Sequence, residues 1–443
     1  MQKSIRWEIE PNCNLKCKHC FLGKTKFDRS LSIEDNKKIV NKLNEVGINE
    51  ISFTSKEPFL YNGIIDLIDY CKKKDISVSF VTNGTLIDRK ILEKLIKCRI
   101  KFISLSLEGI SEVTNDYIRG NGVFDKVTRT IKTINNINTK NKKIIPIVIQ
   151  ISLTDKNYNE ADRFIDFFEQ LGVLTVNIGD IAIMGNAEDN LDIKLDMNKY
   201  VQAAESILSN YALKKNKKIM LSFKSKTSYE TVYYNTIYDL DLDIRMPDCP
   251  INRGFFTLLP DGTMTGCVSL ISNMQELNTM YGNILEMDLK EYVPRVNTKL
   301  AELQKKFQSD GICVECIYRS SCNLCAIVCN DVALIDAMKE KCTLYANKLK
   351  DIMYGILHNQ VMFRLKSNVY IINRLNIFTI NKIYWGSKQT RILIENEYDK
   401  DLIIKMCAMD EYCYIDELKP KADYDYKLLI ENIVMNDMIS IKK

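Results

Sequence analysis

Histidine is almost missing from this sequence, which has only His19 and His358 in 443 residues. That excludes multi-histidine zinc catalysis and leaves fifteen cysteines as the ligand supply, which favours iron–sulfur or all-thiolate zinc. Long apolar runs are missing too. No stretch reaches the roughly 18 uncharged apolar residues of a membrane span, so no membrane partner is expected. The opening MQKSIRWEIEPNC lacks the apolar segment of a secretory signal, so a cytoplasmic address is the expectation. A basic stripe is also lacking. The net charge of +5 is mild and the lysines are scattered over apparent helix surfaces, so nucleic acid is not an expected partner. No internal repeat or low-complexity linker occurs. What remains is a globular composition, 46% apolar and 27% charged, on a chain too long for one core.

The cysteines are grouped. Three stand at 13, 17 and 20, eight lie between 249 and 342, and Cys71, Cys98, Cys407 and Cys413 read as small buried side chains. A reducing compartment disfavours disulfides, so the two groups point to metal or cluster ligation.

Short β-rich runs alternate with helical patterns through the first 180 residues. IRWEIE, EISFTS, SVSFVTNG, KFISLSLEG, IIPIVIQISL and VLTVNIGD are the expected strands. Helical segments of 10–16 residues between them predict βα units on a parallel sheet. The fold class is therefore α/β, a partial (β/α)6 TIM-like barrel over 1–196 with its chemistry at the strand C-termini. A helical connection is expected over 197–245, then a small Cys-rich domain over 246–354, where metal bonds replace part of a core. Residues 355–443 read as strands followed by short helices, a winged-helix-like α+β module.

CNLKCKHC follows the first strand, at the end where barrel chemistry sits. A structural site wants four protein ligands, whereas three thiolates on a cubane cluster leave one iron open. The alternative is a zinc knuckle with His19 as the fourth ligand. The spacing Cys13-x3-Cys17-x2-Cys20 after a first strand resembles the signature of the radical S-adenosylmethionine (SAM) superfamily. The resemblance runs from residue 5 to about 187. TSKEP keeps Glu57 and Pro58 of the family's Gly-Gly-Glu-Pro segment, with Ser55 and Lys56 replacing the glycines. TNG ends the third strand, SLEG the fourth, Arg119 stands in an Arg-Gly element, and Gly185-Asn186-Ala187 follows the sixth. The resemblance implies a [4Fe-4S] cluster on Cys13, Cys17 and Cys20 and SAM held by Glu57, Ser55, Asn83, Ser106 and Arg119. It also places Lys56 near the SAM carboxylate. The implied chemistry is reductive cleavage of SAM to a 5′-deoxyadenosyl radical that abstracts hydrogen from a substrate. The electron donor would be a low-potential ferredoxin or flavodoxin.

The second cysteine group, with DGTMTGC and YGNILE, resembles the SPASM extension, which carries auxiliary iron–sulfur clusters. It implies two of them, of the [4Fe-4S] type. Cys313, Cys316, Cys322 and Cys342 would hold one. Cys249, Cys267 and Cys325 would hold the other, either with Cys329 as the fourth ligand or with one iron open to a substrate thiolate. Taken without the resemblance, two paired CxxC units also fit a zinc ribbon.

The resemblance further implies a peptide maturase that forms a thioether or carbon–carbon crosslink in a Cys-containing precursor peptide or protein. Residues 355–443 are then a candidate leader-recognition module offering a strand edge. Three other readings stand beside it. One is a sulfatase-maturating, formylglycine-forming enzyme, disfavoured by His19 and Val268 where such relatives carry tyrosine and an acid. Another is haem-precursor or redox-cofactor modification, and the last a non-enzymatic zinc or iron–sulfur protein. The sequence identifies no catalytic base; Asp248 is a candidate by proximity alone.

Overall fold

The computed structural model describes the chain apart from residues 1–3, 99, 143, 215, 224–226, 243–255, 272–279, 292–297, 323–331, 375–376, 385–387, 410, 419 and 443. Two compact units form, one from residues 1–224 with 248–302, the other from 225–247 with 303–443.

The first unit is built on parallel strands in chain order. They are β1 (Ser4–Glu10), β2 (Glu50–Ser55), β3 (Ser77–Thr82), β4 (Ile100–Ser106), β5 (Ile147–Leu153), β6 (Thr175–Asp180) and β7 (Met220–Phe223). Beyond β1 the sheet continues into β8 (Thr257–Leu258), parallel to β1. The antiparallel β9 (Thr263–Thr265) and β10 (Met280–Asn283) complete it. Ten strands run in one open series, a partial barrel that does not close.

Register explains the alternation seen in the sequence. Trp7, Phe53 and Phe80 are cross-strand neighbours on β1, β2 and β3, each fully buried, with ring centroids 5.6 and 5.7 Å apart. Large apolar side chains buried in this way contribute about 2–3 kcal/mol each. Alternate positions on the other face carry Glu8, Thr54, Ser104 and Gln150, because successive side chains point to opposite faces. The helices start where hydroxyl and carboxylate caps allow. Ser32 accepts from the Asp35 N–H at the start of Ile33–Glu45, and Asp88 from the Ile91 N–H before Arg89–Leu95.

The architecture departs from expectation in two places. The 197–245 segment contributes β7 as well as the helices Met197–Leu213 and Ser228–Tyr238. Residues 257–283 extend the barrel sheet and group with the first unit.

In the second unit, Ser228–Tyr238 lies against the long helix Val332–Leu357. The hydroxyls of Tyr234 and Tyr345 are 2.6 Å apart and a buried Lys341–Glu230 pair spans 2.7 Å. An antiparallel sheet of β12 (Val369–Arg374), β13 (Ile377–Tyr384) and β14 (Lys388–Leu393) follows β11 (Phe363–Leu365), which pairs with β15 (Ile439–Ile441). Helices Glu397–Ala408 and Lys427–Met435 complete this α+β part. Lys366 and Lys382 are buried around one buried carboxylate, Asp437, at 2.7 and 2.6 Å. Such burial is tolerable only because every charge there is paired. Among the described residues, no helix is long and apolar enough to cross a membrane.

Candidate functional site

The loop after β1 is tied down by the C-terminal ends of the other strands, which brings the N-terminal cysteines together. After β2, the Glu57 N–H donates to the Asn12 carbonyl at 3.1 Å. After β3, Asn83 Nδ2 donates to Asn14 Oδ1 at 2.8 Å, and Asn14 Nδ2 to Thr85 Oγ1 at 2.9 Å. The Ile118 carbonyl accepts from the Lys18 N–H at 2.8 Å. After β6, the Asn186 N–H donates to the Cys20 carbonyl and its Nδ2 to the Cys17 carbonyl, both at 3.0 Å. Gly185, at φ +59°, is required there: a Cβ would lie 2.6 Å from the Cys20 and Phe21 carbonyl oxygens.

Cys13, Cys17 and Cys20 are close enough to repel one another as thiolates. Burial, reinforced by that repulsion, pushes the Cys17 thiol up to about 11 and raises Cys13. Donors gather round the sulfurs. The Leu15 N–H is 3.4 Å from Cys13 Sγ, Asn83 Nδ2 lies at 3.9 Å from the same atom, and Arg119 Nη1 at 3.9 Å from Cys17 Sγ. Three sulfurs ringed by N–H groups and a guanidinium suit an anionic iron–sulfur centre, whose potential such hydrogen bonds tune. His19, the fourth ligand of the zinc-knuckle alternative, pairs Nε2 with Glu108 at 3.1 Å and keeps Nδ1 buried without a hydrogen-bond partner. Among the described residues, no three Cys, His, Asp or Glu side chains converge as a single-ion site.

The residues expected to bind SAM divide. Arg119 is buried beside Cys17, with its Nε buried and without a hydrogen-bond partner. Asn83 faces Cys13, and Ser106 ends β4 half-buried opposite Gln150. Ser55 ends β2, and its side chain is outside the described set. Glu57 has its carboxylate engaged by neighbouring donors. Its buried oxygens accept from Thr82 Oγ1 at 2.7 Å, the Asn83 N–H at 2.9 Å and the Phe59 N–H at 3.1 Å. Lys56 is likewise engaged, its Nζ donating to the Thr25 carbonyl at 2.9 Å.

Glu108, the acid of SLEG, is the residue that sequence reasoning missed. Its carboxylate accepts from Arg119 Nη2 at 2.6 Å, His19 Nε2 at 3.1 Å and the Ser152 N–H at 2.6 Å. Burial alone would raise its pKa; the charges of His19 and Arg119 outweigh that and hold it at about 2. The signal available was an acidic residue at the end of a barrel strand, where few carboxylates sit without a task.

In the second unit, Cys313, Cys316, Cys322 and Cys342 line one cavity together with Phe307, Ile312, Met338 and Tyr229. Burial raises Cys313 and pushes Cys322 to about 11 and Cys342 to about 12, each reinforced by the neighbouring thiols. The Tyr229 hydroxyl is hydrogen-bonded to Cys316. Four mutually close thiols in an apolar wall fit a fully ligated iron–sulfur cluster. Cys267 caps a short turn after β9 in the first unit. Cys249, Cys325, Cys329 and Asp248 lie outside the described residues.

The thiol trio thus lies at the C-terminal end of an open series of parallel strands. Residues 7–178 match the family described as the radical SAM superfamily, so this part of the chain is a radical SAM domain. The chain is 27% identical over 207 residues to Fe-coproporphyrin III synthase of Methanosarcina barkeri, covering 46% of this chain and 50% of that protein. It is 29% identical over 189 residues to mycofactocin maturase MftC of Mycolicibacterium smegmatis, covering 42% and 47%. It thus spans about half the length of these curated relatives. The fold resembles the crystal structure of Streptococcus suis SuiB bound to precursor peptide SuiA. The TM-score is 0.60 at 17% identity, over 75% of this chain and 74% of that one.

Proposed function

We propose that this chain is a radical SAM maturase acting on a precursor peptide or protein, forming a thioether or carbon–carbon crosslink. The observation that carries the reading is the pair of cysteine sites: a trio among hydrogen-bond donors, and a second set of four around its own cavity. When bound, the cluster and SAM supply a one-electron cleavage that generates a carbon radical. Cys13, Cys17 and Cys20 hold the cluster. Arg119 offers Nε–H and the Ser106 position its hydroxyl toward SAM, while Glu57 and Asn186 keep the loop from moving. The second set would hold an auxiliary cluster. The likeness to a mycofactocin maturase and to a fold solved with a precursor peptide favours a peptide substrate. Residues 355–443, with β12–β14, are the proposed docking module, a strand edge being a ready partner for an extended leader.

Mass spectrometry of a co-expressed candidate peptide tests this reading, with a loss of two hydrogens expected. An unmodified peptide from an enzyme that still cleaves SAM would turn the assignment toward haem-precursor modification. The likeness to Fe-coproporphyrin III synthase favours that second reading, which incubation with an iron porphyrin examines directly.

A further inference from the structure

Glu108 occupies an unusual place. It touches no cysteine, yet one of its oxygens is shared by the two basic side chains nearest the trio. Its backbone is fixed on both sides. The Glu108 N–H donates to Asn115 Oδ1 at 2.9 Å, and its carbonyl accepts from Asn157 Nδ2 at 2.7 Å. The side chain is 2% exposed and that of Arg119 8%, so solvent does little to screen the pair. Arg119 in turn reaches Cys17 by Nη1, and its own carbonyl lies 3.9 Å from the same sulfur. The guanidinium is thus aimed at a ligand atom by a carboxylate that holds it from behind.

Burying such a pair needs a reason, because a well-packed apolar pair of similar volume is often as stable or more so. A fixed cation beside a cluster favours its reduced, more negative form, and a fixed anion opposes it. We propose that Glu108 is a positioning residue for the N-terminal cluster: it holds Arg119 against Cys17 and offsets its charge, so that the pair sets the cluster's reduction potential. This rests on the reading that Cys13, Cys17 and Cys20 carry the cluster. No ligand contact is asked of Glu108, since its oxygens are already taken by Arg119, His19 and Ser152.

The proposal assigns opposite signs to the two members of one pair. Glu108→Gln keeps shape and leaves the Arg119 charge unopposed, so the midpoint potential should rise. Arg119→Met leaves the Glu108 charge unopposed, so it should fall. The experiment is an electron-paramagnetic-resonance redox titration of the reconstituted full chain, following the signal that changes when SAM is added. Midpoints that stay put in both variants, or move with the same sign, overturn the proposal, because a purely structural role has no reason to produce opposed shifts. Removing one partner of a buried pair can prevent folding. The double variant E108Q/R119M then replaces the singles. Arg119 is nearer Cys17 than Glu108 is, so its lost charge dominates. A midpoint below that of the unaltered protein is expected, and an unmoved midpoint contradicts the idea. Absence of any SAM-responsive signal in the unaltered, iron-loaded protein is a different result; it removes the cluster assignment itself and the proposal with it.

Discussion

The two cysteine sites are surrounded by different chemistry. Around Cys13, Cys17 and Cys20 stand Arg119, Glu108, His19, Asn83 and backbone N–H groups, supplied by the ends of several barrel strands. Around Cys313, Cys316, Cys322 and Cys342 the apolar wall is Phe307, Ile312 and Met338, with the Tyr229 hydroxyl on one sulfur and the charges of Lys339 and Arg319 acting on Cys313. A site with an open coordination position must orient a charged ligand, so it needs fixed charges and donors. A closed site needs only its four sulfurs and protection from water. On the proposed function, the contrast is one between a reacting centre and an auxiliary one.

Altering the trio is the sharpest way to break that contrast. Cys17→Ala should abolish SAM cleavage, measured as 5′-deoxyadenosine after anaerobic reconstitution and reduction, since two thiolates no longer anchor the cluster. Cys342→Ala should lower the iron content by roughly four per chain while SAM cleavage continues. Loss of cleavage in that variant would mean that the sites do not differ in role.

Smaller effects concern the scaffold. The Glu108 carboxyl is held at about 2, below the ordinary value of 4.5. A depressed carboxyl stabilises the fold above its unfolded value, so this contribution is fully present above about pH 4.5. It is lost as the pH falls towards 2, and amounts to about 3 kcal/mol. Denaturant unfolding of the iron-free chain should therefore show a flatter acid limb in Glu108→Gln. Asn186→Ala removes one hydrogen bond to the Cys17 carbonyl and should cost about 1–2 kcal/mol, with faster loss of iron to a chelator.

Much of the first unit was legible because β1 to β6 are six or seven residues long, enough for the alternation to show. β7 to β10 are two to four residues long, too short for any period, and their place is set by pairing with the sheet. β15, three residues long, was missed for a similar reason, its partner β11 lying far back in the chain. The cysteine trio was visible because its ligands are neighbours in the chain. Glu108, Arg119 and His19 come from three separate segments, and only the folded barrel brings them to one point. Glu57 was expected to hold SAM; its partners Thr82 and Asn83, which the fold supplies, were not legible in the sequence.

The central claim is that three thiolates hold a cluster with one iron left open to SAM. Its most direct measurement is electron paramagnetic resonance of the reduced, reconstituted Cys342→Ala protein before and after adding SAM. A changed spectrum, with 5′-deoxyadenosine formed in the same sample, is the predicted result. Zinc in place of iron at this site, or a reduced cluster whose spectrum ignores SAM, would contradict it.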